Sequence, residues 1–162
     1  MGNASVKIEF SIHDDLTSLS EQDAMLIHEV RELCKTAYAP YSRFRVGAVA
    51  LMEDYSKVNG TNQENASYPI GLCAERVLLA AVSSVAPAKS IHTMAISYES
   101  DEVESSNPVA PCGICRQSLV EFESRFNHPL RLLLTGQTGK IYEFASASDI
   151  LPFAFKHFHL GK

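Results

Sequence analysis

The chain has 162 residues, 46% of them apolar, and a formal net charge of −5 at neutral pH. This length favours a single domain, and the apolar fraction excludes an intrinsically disordered protein. No apolar run is long enough to span a membrane, and the first residues lack the basic and apolar regions of a secretory signal. We therefore expect a cytoplasmic protein that does not bind membranes. The acidic balance argues against a nucleic-acid-binding protein, because such proteins usually carry a basic face.

Residues 1–20 are predicted to form an N-terminal extension. Apolar and polar residues alternate over 6–12, which indicates a short strand that could add an edge to a sheet. A helix is predicted over 21–38, and it must end before Pro40. Cys34 lies within this helix and is interpreted as a buried apolar residue.

The rest of the chain mixes strands with helices. Helices are predicted to begin near Ala74 and at Cys112. The predicted strands are 46–52, a segment ending near Thr61, 91–98, 130–135 and 140–144. This order, without a repeat or a linker, predicts one α/β domain over 21–162. We expect a three-layer α/β/α sandwich with a mixed sheet of about five strands.

Three cysteines and one glutamate carry the chemical signal of this sequence. They occur in Cys73-Ala74-Glu75-Arg76 and Pro111-Cys112-Gly113-Ile114-Cys115-Arg116. Three thiolates can hold a zinc ion and leave its fourth position open to water, whereas a structural zinc site closes that position with a protein ligand. Glu75 follows the first cysteine by two residues, close enough to transfer a proton without binding the ion. This layout matches that of zinc deaminases.

The predicted helix starts explain how the sulfurs could meet. Cys73 and Cys112 each precede a helix, where free N–H groups and partial positive charge favour a thiolate. Cys115 lies one turn further, on the same side as Cys112. Three thiolates leave a zinc site with a net charge of −1, and we hypothesise that Arg76 or Arg116 offsets it by a hydrogen bond to sulfur. The alternatives are a structural zinc or redox site and two surface arginines.

Several further motifs make the sequence similar to a known enzyme family. They are Ala39-Pro40-Tyr41-Ser42-x-Phe44-x-Val46-Gly47-Ala48, Asn62-x-Glu64-Asn65-Ala66-Ser67-Tyr68, the two cysteine motifs with Gln117, and Leu151-Pro152-x-x-Phe155. Together they resemble the cytidine deaminases of the homotetrameric, three-cysteine type. The resemblance covers about 21–155.

The resemblance implies a role for each matching residue. It assigns zinc to the three cysteines of the two motifs and proton transfer to Glu75. The implied substrate contacts are Phe44 against the pyrimidine, Asn62 and Glu64 at the ribose, Ala66 and Tyr68 in the pocket lining, and Phe155 at a neighbouring subunit's site. The last contact implies an obligate homotetramer with shared sites.

The residues by themselves leave simpler alternatives open. Asn62 and Glu64 could cap their own loop. Phe44 alone would be interpreted as a core residue, and Phe155 could cover the core of its own subunit. The acidic loop 99–109 is interpreted as a solvated loop, although its position before the second cysteine motif could alter access to the base.

We expect zinc-dependent hydrolytic deamination of cytidine and 2′-deoxycytidine to uridine and 2′-deoxyuridine, with release of ammonia, in pyrimidine salvage. One rival is a deaminase of a modified cytosine nucleoside such as blasticidin S. A second is an editing deaminase, which would need a basic channel for RNA or DNA. A third is a zinc-stapled interaction domain, which would have no use for Glu75.

Overall fold

A mixed sheet of six strands forms the middle layer of the protein, in a computed structural model that describes residues 2–161. The strands are β1 (Ser11–His13), β2 (Phe44–Met52), β3 (Lys57–Thr61), β4 (Ile91–Ser100), β5 (Arg131–Thr135) and β6 (Ile141–Phe144). Their order across the sheet is β1-β6-β5-β4-β2-β3. β4 and β5 run parallel, and the other neighbours run antiparallel. The predicted mixed sheet is confirmed, with one strand more than expected because β1 pairs with β6.

Helices cover both faces of this sheet. They are α1 (Glu21–Leu33), α2 (Ala74–Val85) and α3 (Gly113–Phe126). The alternation of side chains along β2 shows the two layers. Ala48 and Ala50 face the core formed with α2 and α3, whereas Val49 and Leu51 face the core formed with α1. The predicted three-layer α/β/α sandwich is therefore confirmed, and it places α2 and α3 side by side on one face.

The first helix is shorter than predicted. Ser20 caps it, because its hydroxyl accepts a hydrogen bond from the Asp23 amide at 3.1 Å. The α-helix ends at Leu33, and a 3₁₀ turn, Cys34–Thr36, follows. The chain then becomes extended, and the Tyr38 amide donates to the Asn62 carbonyl at 3.2 Å. This long-range pairing beyond the end of β3 replaces the last helical turn that the sequence predicted.

The N-terminal extension reaches the edge of the sheet with a shorter strand than its alternation indicated. Only Ser11–His13 pairs with β6. Phe10 precedes the strand, and its ring stacks on that of Phe144 with the centroids 5.1 Å apart. His13 Nε2 lies 2.7 Å from Glu143 Oε2. At the other end of β6, the turn 136–139 (the β5–β6 turn) joins it to β5.

Candidate active site

The starts of α2 and α3 bring three cysteine sulfurs together. Cys73 and Cys112 are the N-cap residues of these helices, and neither uses its side chain to cap the helix. Cys115 lies in the first turn of α3 and is buried. The Sγ atom of Cys112 is 3.8 Å from that of Cys73 and 3.3 Å from that of Cys115, and all three atoms lie within 4.8 Å of one another.

This geometry fits one zinc ion. Tetrahedral zinc with Zn–S bonds of about 2.3 Å separates its sulfur ligands by about 3.8 Å, which is close to the spacing here. Among residues 2–161, no fourth histidine, cysteine or carboxylate joins the cluster. The three thiols thus suit a zinc site that keeps one position open.

The cysteines also influence one another's protonation. A hydrogen bond from Cys115 lowers the pKa of Cys73 to about 6. The same pairing with Cys73, together with burial, raises the pKa of the Cys115 thiol. A metal ion that binds all three sulfurs must displace the proton that Cys115 retains, so binding releases protons.

Glu75 lies beside this cluster in the first turn of α2. Its residue surface is 4% exposed, and its side chain lines the cavity described below. Burial raises the pKa of its carboxyl group. No ion pair within the described chain involves Glu75. Burial without a cationic partner favours the protonated form of a carboxyl group, and a carboxyl group that can hold a proton suits a general acid–base.

The two arginines of the motifs differ in what they contact. Arg116 donates from Nε to the Pro111 carbonyl at 2.7 Å and from Nη1 to the Ile150 carbonyl at 3.2 Å. It therefore holds the backbone before Cys112 and does not make the hypothesised bond to sulfur. The charge of Arg76 contributes to the low pKa of Cys73, although no hydrogen bond joins Arg76 to a sulfur within residues 2–161.

A cavity of about 540 Å³ opens beside Glu75 and the sulfurs of Cys73 and Cys112. This volume is in the range of pockets that hold small organic ligands. Four of the predicted substrate contacts line it, namely Phe44, Asn62, Glu64 and Tyr68. Apolar and polar side chains therefore converge where the metal and the proton-transfer group would act.

Phe44 is held in the cavity wall by an aromatic residue that sequence reasoning missed. Its ring stacks on that of Tyr98, with centroids 4.9 Å apart and planes 14° from parallel. Tyr98 is 5% exposed and belongs to β4, which neighbours β2. Phe44 thus lies between core and cavity, and its contact with a pyrimidine stays a prediction.

Asn62 and Glu64 stabilise the segment that carries Phe44. Asn62 donates from Nδ2 to the Phe44 carbonyl at 2.9 Å and accepts from the Val46 amide at 2.7 Å. Glu64 Oε2 accepts from the Tyr41 amide at 2.8 Å and from the Ser42 amide at 3.2 Å. Both side chains therefore bind the backbone of residues 41–46 and not that of their own loop. One N–H of Asn62 and the second carboxylate oxygen of Glu64 keep capacity for a ligand.

Two predicted contacts lie away from this cavity. Ala66 is exposed and does not line it. Phe155 is 57% exposed, and its carbonyl accepts a hydrogen bond from Gln117 Nε2 at 2.7 Å. Val109, Ala110 and Thr135 line the cavity without having been predicted, because each is an ordinary strand or loop residue in the sequence.

Comparison with known proteins identifies the family of this site. The family model for the cytidine and deoxycytidylate deaminase zinc-binding region matches residues 20–126. A cytidine deaminase of Halalkalibacterium halodurans is 40% identical over 131 residues, which are 81% of this chain and 92% of that protein. A cytidine deaminase of Mycobacterium tuberculosis is 34% identical over 134 residues, which are 81% of this chain and 87% of that protein.

Solved structures agree with these sequence relatives. The crystal structure of a cytidine deaminase from Burkholderia pseudomallei superposes with a TM-score of 0.71 at 34% identity, covering 85% of this chain and 100% of that one. A Mycobacterium tuberculosis cytidine deaminase gives a TM-score of 0.64 at 32% identity, covering 85% of this chain and 98% of that one. Within residues 2–161, every helix is too short or too polar to cross a membrane. The matched region, the shared fold and the three-cysteine cluster place this chain in the cytidine and deoxycytidylate deaminase family.

Proposed function

We propose that this protein catalyses the hydrolytic deamination of cytidine and 2′-deoxycytidine to uridine and 2′-deoxyuridine. The observation that carries the proposal is the cluster of three sulfurs, without a fourth ligand among the described residues, beside the buried carboxyl of Glu75. The names of the relatives support cytidine as the substrate. A small neutral nucleoside also suits a cavity of about 540 Å³ in an acidic protein.

We assign zinc to Cys73, Cys112 and Cys115. When bound, zinc supplies a Lewis acid that lowers the pKa of water from 15.7 to about 7. Two of the sulfurs sit at helix N-termini, where the partial positive charge stabilises thiolate. Arg76 would add a positive charge near Cys73, and Arg116 would fix the loop before Cys112.

Glu75 would move the protons of the reaction. Its carboxylate takes a proton from the attacking water and passes it to the ring nitrogen N3 of the base. The water oxygen forms a bond to C4, and the C4–N4 bond breaks after the amine is protonated through the same carboxyl. Water and cytidine thus yield uridine and ammonia. Burial of Glu75 supports this role, since it raises the pKa of the carboxyl toward the working pH.

The other predicted contacts would hold the nucleoside. Phe44 would stack on the pyrimidine, supported from behind by Tyr98. The unused N–H of Asn62 and the free oxygen of Glu64 would bind ribose hydroxyls, which both donate and accept. Tyr68 would lie along the cavity mouth, because it is 74% exposed and still lines the cavity. Ala66 would contact substrate only if its loop moves or a second subunit adds to the site.

We further propose a homotetramer in which Phe155 enters the site of a neighbouring subunit. Its 57% exposed side chain and its absence from the cavity of its own chain support this arrangement. Residues 21–162 would form the catalytic domain and 1–20 an extension that lengthens the sheet. The enzyme would act in cytoplasmic pyrimidine salvage.

The direct test incubates the purified protein with cytidine and follows the loss of cytosine absorbance. The same assay is repeated after zinc removal by a chelator and after zinc is restored. We expect activity that disappears with the metal and returns with it. Parallel assays with blasticidin S and with a cytosine-containing oligonucleotide address the rival substrates. Turnover of either rival in preference to cytidine would overturn the proposal.

A further inference from the structure

The loop that leaves β4 after Ser100 has a defined fold. We call residues 101–109 the 101–109 loop. The Ser100 amide donates to Ser105 Oγ at 3.0 Å, and Ser100 Oγ accepts from the Glu102 amide at 3.2 Å. The end of this loop, Val109, and the next residue, Ala110, line the cavity. The position of the loop therefore decides the shape of one cavity wall.

One attachment of this loop is an arginine on β2. Arg45 donates from Nη1 to Asp101 Oδ2 at 3.3 Å, and its Nη2 contacts the other oxygen of Asp101. Its Nε donates to Glu99 Oε2 at 3.4 Å. Sequence analysis interprets the acidic loop 99–109 as solvated, but two of its carboxylates, Glu99 and Asp101, pair with Arg45 of the sheet.

The second attachment is the β5–β6 turn. The Ser105 carbonyl accepts a hydrogen bond from the Gln137 amide at 2.6 Å. A β-carbon at Gly136 would lie 2.2 Å from the Ser105 oxygen, and one at Gly139 would lie 2.2 Å from the Ser106 oxygen. Such distances are shorter than any real β-carbon contact. The loop can approach this closely only because both turn residues are glycines.

The turn itself is also bound by a residue of α1. Arg31 of α1 donates to the Gly136 carbonyl and to Thr135 Oγ1, each at 2.9 Å. The side chain of Gln137 donates to the Tyr98 carbonyl at 3.2 Å. Since Thr135 and Tyr98 also line the cavity, the turn joins the loop to two further residues of the cavity wall.

We propose that the β5–β6 turn holds the 101–109 loop in place and that Gly136 and Gly139 are positioning residues for nucleoside binding. They act through the wall formed by Val109 and Ala110. This inference rests on the proposed function for its substrate. Because none of these attachments involves a cysteine sulfur or Glu75, loosening them weakens substrate binding while zinc content is retained.

The test compares Gly136→Ala and Gly139→Ala with a matched control, Gly161→Ala. Gly139 and Gly161 share a left-handed backbone, with φ of 73° and 70°, but nothing lies within 4 Å of a β-carbon at Gly161. We expect KM for cytidine to rise about tenfold in the first two variants, which corresponds to a loss of about 1.4 kcal/mol of binding free energy. We expect kcat to change far less and the control to match wild type.

The two glycine variants could fail to fold, so a third variant loosens the loop by a different change. Arg45→Gln removes the first attachment without adding an atom at a close contact, and we expect a smaller rise in KM. Hydrogen exchange of the 101–109 amides, measured in every variant, reports on the loop without reference to activity. Faster exchange with unchanged KM, or unchanged exchange in Gly136→Ala, would overturn the proposal.

If the wild-type protein does not deaminate cytidine, the proposed function fails, while faster exchange in Gly136→Ala alone still supports the attachment.

Discussion

The ring of Phe44 lies parallel to that of Tyr98 at 4.9 Å, so a cavity residue is supported by a buried one. If Phe44 stacks on the pyrimidine as proposed, a ring already packed on Tyr98 has less conformational entropy to lose on binding. Stacking of a base on an aromatic side chain contributes about 1–3 kcal/mol. We therefore expect a substitution that removes the Phe44 ring to lower the free energy of cytidine binding by a similar amount.

We predict that Phe44→Ala raises KM for cytidine about tenfold or more, because a loss of about 1.4 kcal/mol corresponds to a factor of ten. Phe44→Leu keeps much of the volume without the ring and should show a similar rise in KM with less loss of stability. Steady-state kinetics and thermal unfolding of both variants provide the measurement. An unchanged KM in either variant would contradict stacking and leave Phe44 as a core residue.

A second prediction concerns the proton-transfer group. Glu75→Gln keeps the size of the side chain but cannot carry a proton, so kcat should fall by more than the roughly 10²–10⁴-fold of a single acid–base step. Zinc content should stay at the wild-type level. Glu121→Gln is the matched control, because Glu121 is an exposed glutamate on α3. Retained cytidine turnover in Glu75→Gln, with zinc present, would remove Glu75 from the proposed proton transfer.

A third prediction separates the four cysteines of the chain. Serine substitution of Cys73, Cys112 or Cys115 should prevent the purified protein from retaining about one zinc per chain, since three thiolates hold the ion. Cys34→Ala should retain the metal, because Cys34 is buried between α1 and β2 and its sulfur donates to the Val30 carbonyl at 3.3 Å. Metal analysis of folded protein decides the matter. Equal zinc content in all four variants would remove the assigned site.

The parts of this site that sequence analysis located are those set by local chain geometry. Cys112 and Cys115 share one helical turn, and Cys73 starts another helix, so motif spacing alone predicts how the sulfurs face. Glu75 follows from the same turn. The three-layer fold likewise follows from apolar patterns along individual strands, such as the alternation of Ala48 and Val49.

The parts that were missed depend on pairing between distant segments. Tyr98 supports Phe44 because β4 pairs with β2, and Thr135 reaches the cavity because β5 runs beside β4. No local pattern around either residue reports such pairing. The early end of α1 has the same origin, since Tyr38 pairs with the segment after β3. Long-range contacts here override local helical preference.

A fourth prediction concerns acid stability and the ion pairs of Arg131. Its guanidinium donates to both oxygens of Asp23, at 2.7 and 3.0 Å, and to Glu143 at 2.7 Å. Burial alone would raise the pKa of Asp23, but the bonds from Arg131 and Ser20 outweigh it and leave the pKa below 3.8. Hydrogen bonding from Arg131 likewise lowers the pKa of Glu143 below 4.5.

A lowered carboxyl pKa means that the folded state binds fewer protons than the unfolded state. The stability that these ion pairs contribute is therefore fully present above about pH 4.5. It is lost as the pH falls through the pKa values of Asp23 and Glu143 in the folded state. Arg131→Ala should cost about 2–3 kcal/mol at neutral pH, less than a fully buried pair would, and should reduce the further loss in acid. Urea unfolding of variant and wild type at matched pH values measures this. Lys140→Ala, which removes the exposed pair with Asp14 at 3.8 Å, is the control and should unfold like wild type. Parallel pH profiles for the Arg131 variant and wild type would contradict the assignment.

A fifth prediction tests whether sites are shared between subunits. If Phe155 serves a neighbour, Phe155→Ala and Glu75→Gln impair different halves of a composite site. Each variant alone should then be poorly active. In mixed oligomers, a Phe155→Ala subunit keeps its own Glu75 and receives Phe155 from a Glu75→Gln partner, so one complete site forms.

Coexpression of the two variants, with different affinity tags and purification through both, isolates such mixtures. We expect cytidine turnover well above the sum of the two parents, and sedimentation should show an oligomer. Glu121→Gln coexpressed with Glu75→Gln is the reference mixture. It shows how much activity subunits with both Glu75 and Phe155 retain beside an inactive partner. If Phe155 instead covers the core of its own chain, each Phe155→Ala subunit is defective wherever it assembles. Mixing then restores nothing, and an active monomer in sedimentation would lead to the same conclusion.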